Sequence, residues 1–509
     1  MSIKRNILAS YVSQTYVTII GIVIVPLYVK YMGAEAYGLV GFFAMLQAWF
    51  NLLDMGLTPT ISRETARHRG GATDAFSYRR LVHALEGIFL FIALLGGGVL
   101  FALSGVIATD WLQASQLPFV EVQTALQLMA IIVAMRWLCG LYRAVISGAE
   151  RLVWLGGFNT LVATMRFVGV LLVLVFVGIT PTIFFSFQFA VAILELLGLL
   201  FHAYQLLPSI PRNQRQHFSL DWTPLKPVLK FSLTIAFTSS IWVLVTQTDK
   251  LLLSKLLPLA EYGHFTLAVL AASGVMIISS PISGAIMPRM AMLEAEGDHA
   301  GLIRIYRQAT QLSVIVASAA SLTLVFCAEP LLLAWTGDKA LAHQAMPVLI
   351  LYALGNGILA ISAFPYYLQY AKGDLRLHLI GNAWFVLLLI PAIVWAVSQY
   401  GAVGAGYVWL AMNIIYFVTW VPLVHHKFEP GLNVRWFLQD VLVICSIVAL
   451  TGYGLIAVWP VTDNRWYQAV VVVAMGLCLL FSGALASSVV RTKLVAWNHL
   501  RKVNRVGLV

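Results

Sequence analysis

The sequence predicts an all-α membrane protein of about fourteen transmembrane helices. They are expected as two six-helix bundles related by a pseudo-two-fold axis along the membrane normal, with a C-terminal helix pair added. Three observations predict this. Apolar residues make up 60% of the 509-residue chain and charged residues 10%, against roughly 25% charged in a soluble globular protein. Apolar windows repeatedly reach the roughly 20 residues that cross a hydrocarbon core about 30 Å thick. Segments of the first half also recur in the second at a constant offset.

Windows bounded by charge place helices near 8–30, 38–57, 81–103, 119–141, 154–178, 182–205, 229–253, 264–286, 308–327, 344–368, 378–398, 404–424, 439–459 and 467–489. The first follows Lys4 and Arg5. It is too long for a signal-peptide core and no small-residue cleavage site follows, so it reads as a retained span. Placing both termini in the cytoplasm puts roughly 25 of the 32 basic residues on one side, as the positive-inside rule requires. Lys30, Lys255, Lys339 and Arg465 fall near the outer face, and Arg136, Arg166 and Lys250 at membrane depth. The same sorting accounts for the net charge of +11 without nucleic acid. The tail from Val490 alternates Leu494, Trp497 and Leu500 with Lys493, Arg501 and Lys502, which suits a helix on an anionic leaflet or an ordinary solvated tail.

Cys139, Cys327, Cys445 and Cys478 are far apart and lack metal-ligand spacing. There is no GxxxxGK[ST] loop, HExxH or GxSxG, so neither a metal, a cofactor nor an enzyme is expected. A glycosyltransferase or ligase needs a sizeable extramembrane catalytic loop, and the longest segments between spans, 58–80 and 206–228, are short and basic.

The repeat has an offset of 225 residues: Tyr37-Gly38 meets Tyr262-Gly263, Ser13-Gln14-Thr15 meets Thr238-Ser239-Ser240, Gly148 to Arg151 meets Gly373 to Arg376, and Gly156 meets Gly381. An even number of crossings per copy leaves both copies in one orientation, with a passage between them. The organisation expected is therefore 1–225 and 226–436 as the two lobes, 437–489 as the appended pair, and 490–509 as a basic cytoplasmic tail.

Several segments carry a resemblance. They are Tyr31 to Gly38 (YMGAEAYG), Asp54-Met-Gly56 leading to Arg63, Thr248-Asp249-Lys250 followed by Ala260 to Gly263, Met287-Pro-Arg289, Trp335 to Asp338 (WTGD), and Tyr366 to Gln369 (YYLQ) before Ala371-Lys-Gly373. Across nearly the whole chain the sequence resembles the polysaccharide-transport branch of the multidrug/oligosaccharidyl-lipid/polysaccharide exporter superfamily, which includes Wzx-type O-antigen flippases. The resemblance implies alternating access by two six-helix bundles that move polyprenyl-diphosphate-linked oligosaccharide from the inner to the outer leaflet of a bacterial cytoplasmic membrane. The implied partners are that glycan, membrane lipids, a coupling ion (H+ or Na+), and polysaccharide polymerase and chain-length machinery. Many O-antigen flippases have twelve spans. Fourteen is closer to the peptidoglycan-precursor flippases, whose extra pair helps form a groove for the lipid tail, so lipid II is an alternative substrate. An ion-coupled multidrug antiporter of the same superfamily is another, although such a cavity is expected to be anionic or aromatic rather than basic.

Each sugar hydroxyl stripped of water in hydrocarbon costs roughly 2–7 kcal/mol, so a glycan needs a hydrophilic path with neutral hydrogen-bonding groups and cations for its diphosphate. Ser10, Ser13, Gln14 and Thr18 form a polar stripe on the first span, and Thr234, Thr238, Ser239, Ser240, Gln247 and Thr248 another on the seventh. Such hydroxyls also join neighbouring helices. Ionisable residues at membrane depth are functional candidates. Arg136 and Arg143 share a helix face, where Arg136 takes a diphosphate or snorkels to the inner interface; Arg166 and Glu195 lie at similar depth on adjacent antiparallel helices, where they can pair, and Glu195 and Asp54 are, with Asp249, candidates for ion coupling or gating. Adjacent Asp249 and Lys250 point in different directions, as an ion-responsive gate or as an ion pair. Lys30, Arg63 and Arg289 flank junctions that border the cavity in the family, and Asp54 is placed to pair with a nearby arginine.

Overall fold

The computed structural model of the protein describes residues 3–54, 56–209, 226–458 and 464–492, with 226–239 among those described by backbone alone. Among the described residues the secondary structure is helical, apart from a bridge between Gln113 and Pro258. In hydrocarbon an unpaired backbone N–H or C=O costs several kcal/mol, so even runs rich in Val and Ile are driven to helix. Ends facing water use side-chain caps: Asp74, Thr180, Asp298, Asp338 and Asn464 each accept a backbone N–H of the helix that follows.

Twelve described segments are long and apolar enough to cross a membrane, two fewer than the sequence windows. One difference is Arg376–Phe428, a run of 53 residues that as one straight helix would be about 80 Å long. It breaks at Gly401 (φ 57°, ψ −144°), a backbone region open essentially to glycine alone, and so divides into the two windows expected there. The other is Lys226–Leu256, a helix of 31 residues over the window expected near 229–253. The tail beyond 492 lies outside the described residues.

The chain forms two compact units, Met1–Gly263 and His264–Val509. The first contains α1 (Ile3–Val23), α2 (Val25–Met32), α3 (Ala34–Phe50), α4 (Leu57–Arg69), α5 (Ala75–Ala102), α6 (Phe119–Gly148), α7 (Leu152–Thr164), α8 (Pro181–Leu206), α9 (Lys226–Leu256) and the start of α10 (Leu259–Ala295). At its centre α6 packs on α4, α5 and α8, and buries Ala125, Met129, Ile132 and Leu141. The segment 58–80, read from sequence as a loop, is largely the amphipathic α4. Leu57, Thr60, Ile61, Glu64 and Thr65 recur at helical spacing and are buried, while Arg63, Arg67 and Arg69 are exposed.

The start of α3 lies against the start of α10. A Cβ at Gly38 would strike the carbonyl of Leu259, and one at Gly263 would strike the carbonyl of Ala34. Both pairings obey the repeat offset, so the conserved spacing of Tyr37-Gly38 and Tyr262-Gly263 along the chain corresponds to one reciprocal contact in which each copy admits the other's backbone.

In the second unit α11 (His299–Phe326) packs on α12 (Lys339–Ser362) and on the C-terminal helices α13 (Val443–Val458) and α14 (Arg465–Ala486). Arg307 grips the fully buried Asp440 at 2.6 and 3.0 Å. Gln311 donates to Asp440 at 2.6 Å and accepts from Ser487 at 2.6 Å, so the polar stitching of the appended pair runs through one face of α11.

Candidate functional site

The parallel helices α6 and α8 meet in register. Arg136 donates to Gln188 at 2.7 Å, and Arg143 pairs with Glu195, the partners standing 52 residues apart in both rungs. The rungs are seven residues apart, about 10 Å along each helix. Glu195 is sealed, with 1% of its side chain exposed, and its second oxygen pairs with Arg166. Arg166 comes from the π-turn Met165–Gly169 that follows α7, and such turns cluster at functional positions. Its backbone carbonyl accepts Gln188 at 2.8 Å. Arg136 also donates to Gln47 at 3.0 Å and lies 5.1 Å from the Phe43 ring centroid.

Two guanidiniums, those of Arg143 and Arg166, thus share one carboxylate, while the third, of Arg136, is held by the amide oxygens of Gln47 and Gln188, so the cluster carries two positive charges in excess. The Nε atoms of Arg136 and Arg166 are buried with no acceptor among the described residues. Two cavities flank the cluster and share Arg143 and Arg166. One, of about 420 Å³, lies between α1 and α7, its polar lining Ser10, Ser13, Gln14, Thr18 and Asn159 set among apolar residues such as Leu155 and Phe167; the other, of about 290 Å³, lies between α3 and α6, its polar lining Gln47, Asn51, Arg136 and Glu195. The arrangement is an anion-attracting centre beside a wall of neutral hydrogen-bonding groups.

Of the stripe on α1, Ser10, Ser13, Gln14 and Thr18 all line the larger cavity. Ser13 also joins helices, donating to the Gly156 carbonyl at 2.8 Å. The remaining sequence candidates with described side chains are not among the residues lining either cavity. Thr238 and Ser239 have side chains outside the described residues. Asp249 is buried and pairs with Lys250 at 3.3 Å, while the Lys250 ammonium also donates to the Thr246 carbonyl at 2.7 Å; the neighbours in sequence meet because the lysine chain folds back. Gln247 is half-buried beside Thr246. Lys30, Arg63 and Arg289 are exposed, Arg289 reaching the sulfur of Met292. Asp54 is a correction: instead of an arginine it accepts the hydroxyl and the N–H of Thr58, holding the first turn of α4. Gln47, Gln188 and Asn159 belong to the site and went unread in the sequence. The signal available was the spacing of seven from Gln188 to Glu195, equal to that from Arg136 to Arg143.

A family model described as polysaccharide biosynthesis protein matches residues 3–294. The chain belongs to this family. The match takes in the whole arginine cluster and both cavity walls, and ends within α10. No curated protein matches the chain in sequence. Among solved structures, the lipid II flippase MurJ in an inward closed conformation aligns over 96% of this chain and 100% of its own, at TM-score 0.72 and 14% identity. An inward-facing multidrug resistance MATE family transporter of the MOP superfamily aligns over 83% of this chain and 99% of its own, at TM-score 0.63 and 13% identity. A MOP superfamily transporter from Pyrococcus furiosus aligns over 83% and 95%, at TM-score 0.54 and 14% identity. At such identities the likeness establishes the fold alone.

Proposed function

We propose that the protein is a flippase for polyprenyl-diphosphate-linked oligosaccharide, an O-antigen or related surface-polysaccharide repeat unit. It moves this from the inner to the outer leaflet of a bacterial cytoplasmic membrane by alternating access, with both termini in the cytoplasm. The reading rests on one observation: two arginines paired with a single buried carboxylate, a third arginine held one rung away by Gln47 and Gln188, and beside them a cavity whose wall includes Ser10, Ser13, Gln14, Thr18 and Asn159. Guanidiniums take a diphosphate bidentately, and the neutral wall replaces water on sugar hydroxyls. In this reading 1–225 and 226–436 are the moving lobes, 437–489 is an appended pair, and 490–509 is a basic cytoplasmic tail. A coupled H+ or Na+ or the membrane potential drives the cycle, and polymerase and chain-length machinery take the product.

A second reading, lipid II as substrate, is favoured by the likeness to the lipid II flippase over nearly the full chain. The excess of positive charge disfavours a cationic drug. Deleting the gene and analysing inner-leaflet lipids separates these. Accumulation of one polyprenyl-linked oligosaccharide is expected; accumulation of lipid II supports the second reading, and unchanged lipids with altered drug export overturn both.

A further inference from the structure

Glu195 is an oddity in a site read as a receptor for an anion. It sits at the centre of the cluster, its two oxygens each occupied by a different arginine, and it is sealed from water while Arg143 and Arg166 remain 34% and 23% exposed on the cavity side. Two guanidiniums this close repel each other unless an anion lies between them. Here that anion is Glu195. A diphosphate entering from either cavity meets two arginines already engaged by Glu195.

Resting on the flippase reading, we infer that Glu195 is the resident counter-anion of the diphosphate site: it holds the arginines in place when the site is empty, competes with the substrate when it arrives, and reclaims them to expel it. The diphosphate wins entry because it carries more charge and more acceptor atoms than one carboxylate. Glu195 keeps the complex weak enough to release, since a carrier that binds its cargo too tightly moves it slowly. It is a positioning and release residue that acts on the substrate through the arginines it shares.

The test is binding of inorganic diphosphate to the purified full-length protein, followed calorimetrically, with flipping of a polyprenyl-diphosphate lipid measured in proteoliposomes. Glu195→Gln is expected to bind diphosphate about tenfold tighter than wild type and to flip lipid more slowly at saturation. A residue that merely props up the arginines gives the opposite result, weaker binding on substitution, and that outcome overturns the inference, as does unchanged affinity. Infrared difference spectra of the wild-type protein on adding diphosphate provide a reading that needs no variant to fold. A shift of an ion-paired carboxylate band is expected, and its absence overturns the inference. Failure of the underlying reading looks different: wild type and Glu195→Gln then both fail to bind diphosphate, or Arg143→Gln and Arg166→Gln bind it as wild type does.

Discussion

Arg166 and Arg143 are not equivalent, although both hold Glu195. Arg166 is the more enclosed and is fixed by a π-turn, so Arg166→Gln leaves Glu195 with a single cation on its more exposed side. The expected loss is about 3 kcal/mol, the lower end for breaking a buried pair, read as a fall in melting temperature in detergent. Arg143→Gln is expected to lose less stability, because water reaches its side chain. Both are expected to lower flipping by about tenfold or more, since each removes a charge-assisted fork. Arg166→Lys keeps the charge without the fork, and full flipping activity in it would argue that only net charge matters.

At the scale of elements, the contact between the starts of α3 and α10 makes a sharper prediction than any one residue. Gly38→Ala and Gly263→Ala each force a methyl group onto a carbonyl, and each is expected to cost about 1–3 kcal/mol by overpacking. The two glycines serve one reciprocal contact, so parting the helices once relieves both clashes, and the double variant is expected to lose clearly less than the sum. Additive losses in thermal unfolding would show two independent contacts instead. The dipeptide repeat Tyr37-Gly38 and Tyr262-Gly263 was visible along the chain; that its two copies touch was not, because an offset in sequence says nothing about distance in space. The same limit applies to α4. Its apolar and arginine faces alternate with helical period, but flanking charge and a short length made the segment resemble a basic loop.

At the scale of the molecule, the two units are built differently at their centres. The first surrounds a charged cluster beside cavities; the second surrounds a satisfied polar network in which Arg307, Gln311, Asp440 and Ser487 join α11 to the C-terminal helices. Arg307→Gln strands Asp440, which is fully buried, and is expected to destabilise the protein by about 3–5 kcal/mol. A cross-link engineered between α11 and α14 should form less readily in it, and an unchanged melting temperature would show that packing alone holds the pair.

Composition and apolar windows by themselves determined that this chain is a bundle of membrane-crossing helices, because a bilayer leaves a 20-residue apolar run little choice but helix. Helical period also put Arg136 with Arg143 on one face. Only tertiary packing decided which other faces meet it: that Gln188 and Glu195 answer at the same spacing, that Arg166 closes on the same carboxylate, and that Asp54 turns to Thr58 instead of an arginine. Period assigns a side chain to a face of its own helix, whereas the neighbour that face receives depends on the lateral order and depth of helices, which lipid constrains far less than it constrains their backbone.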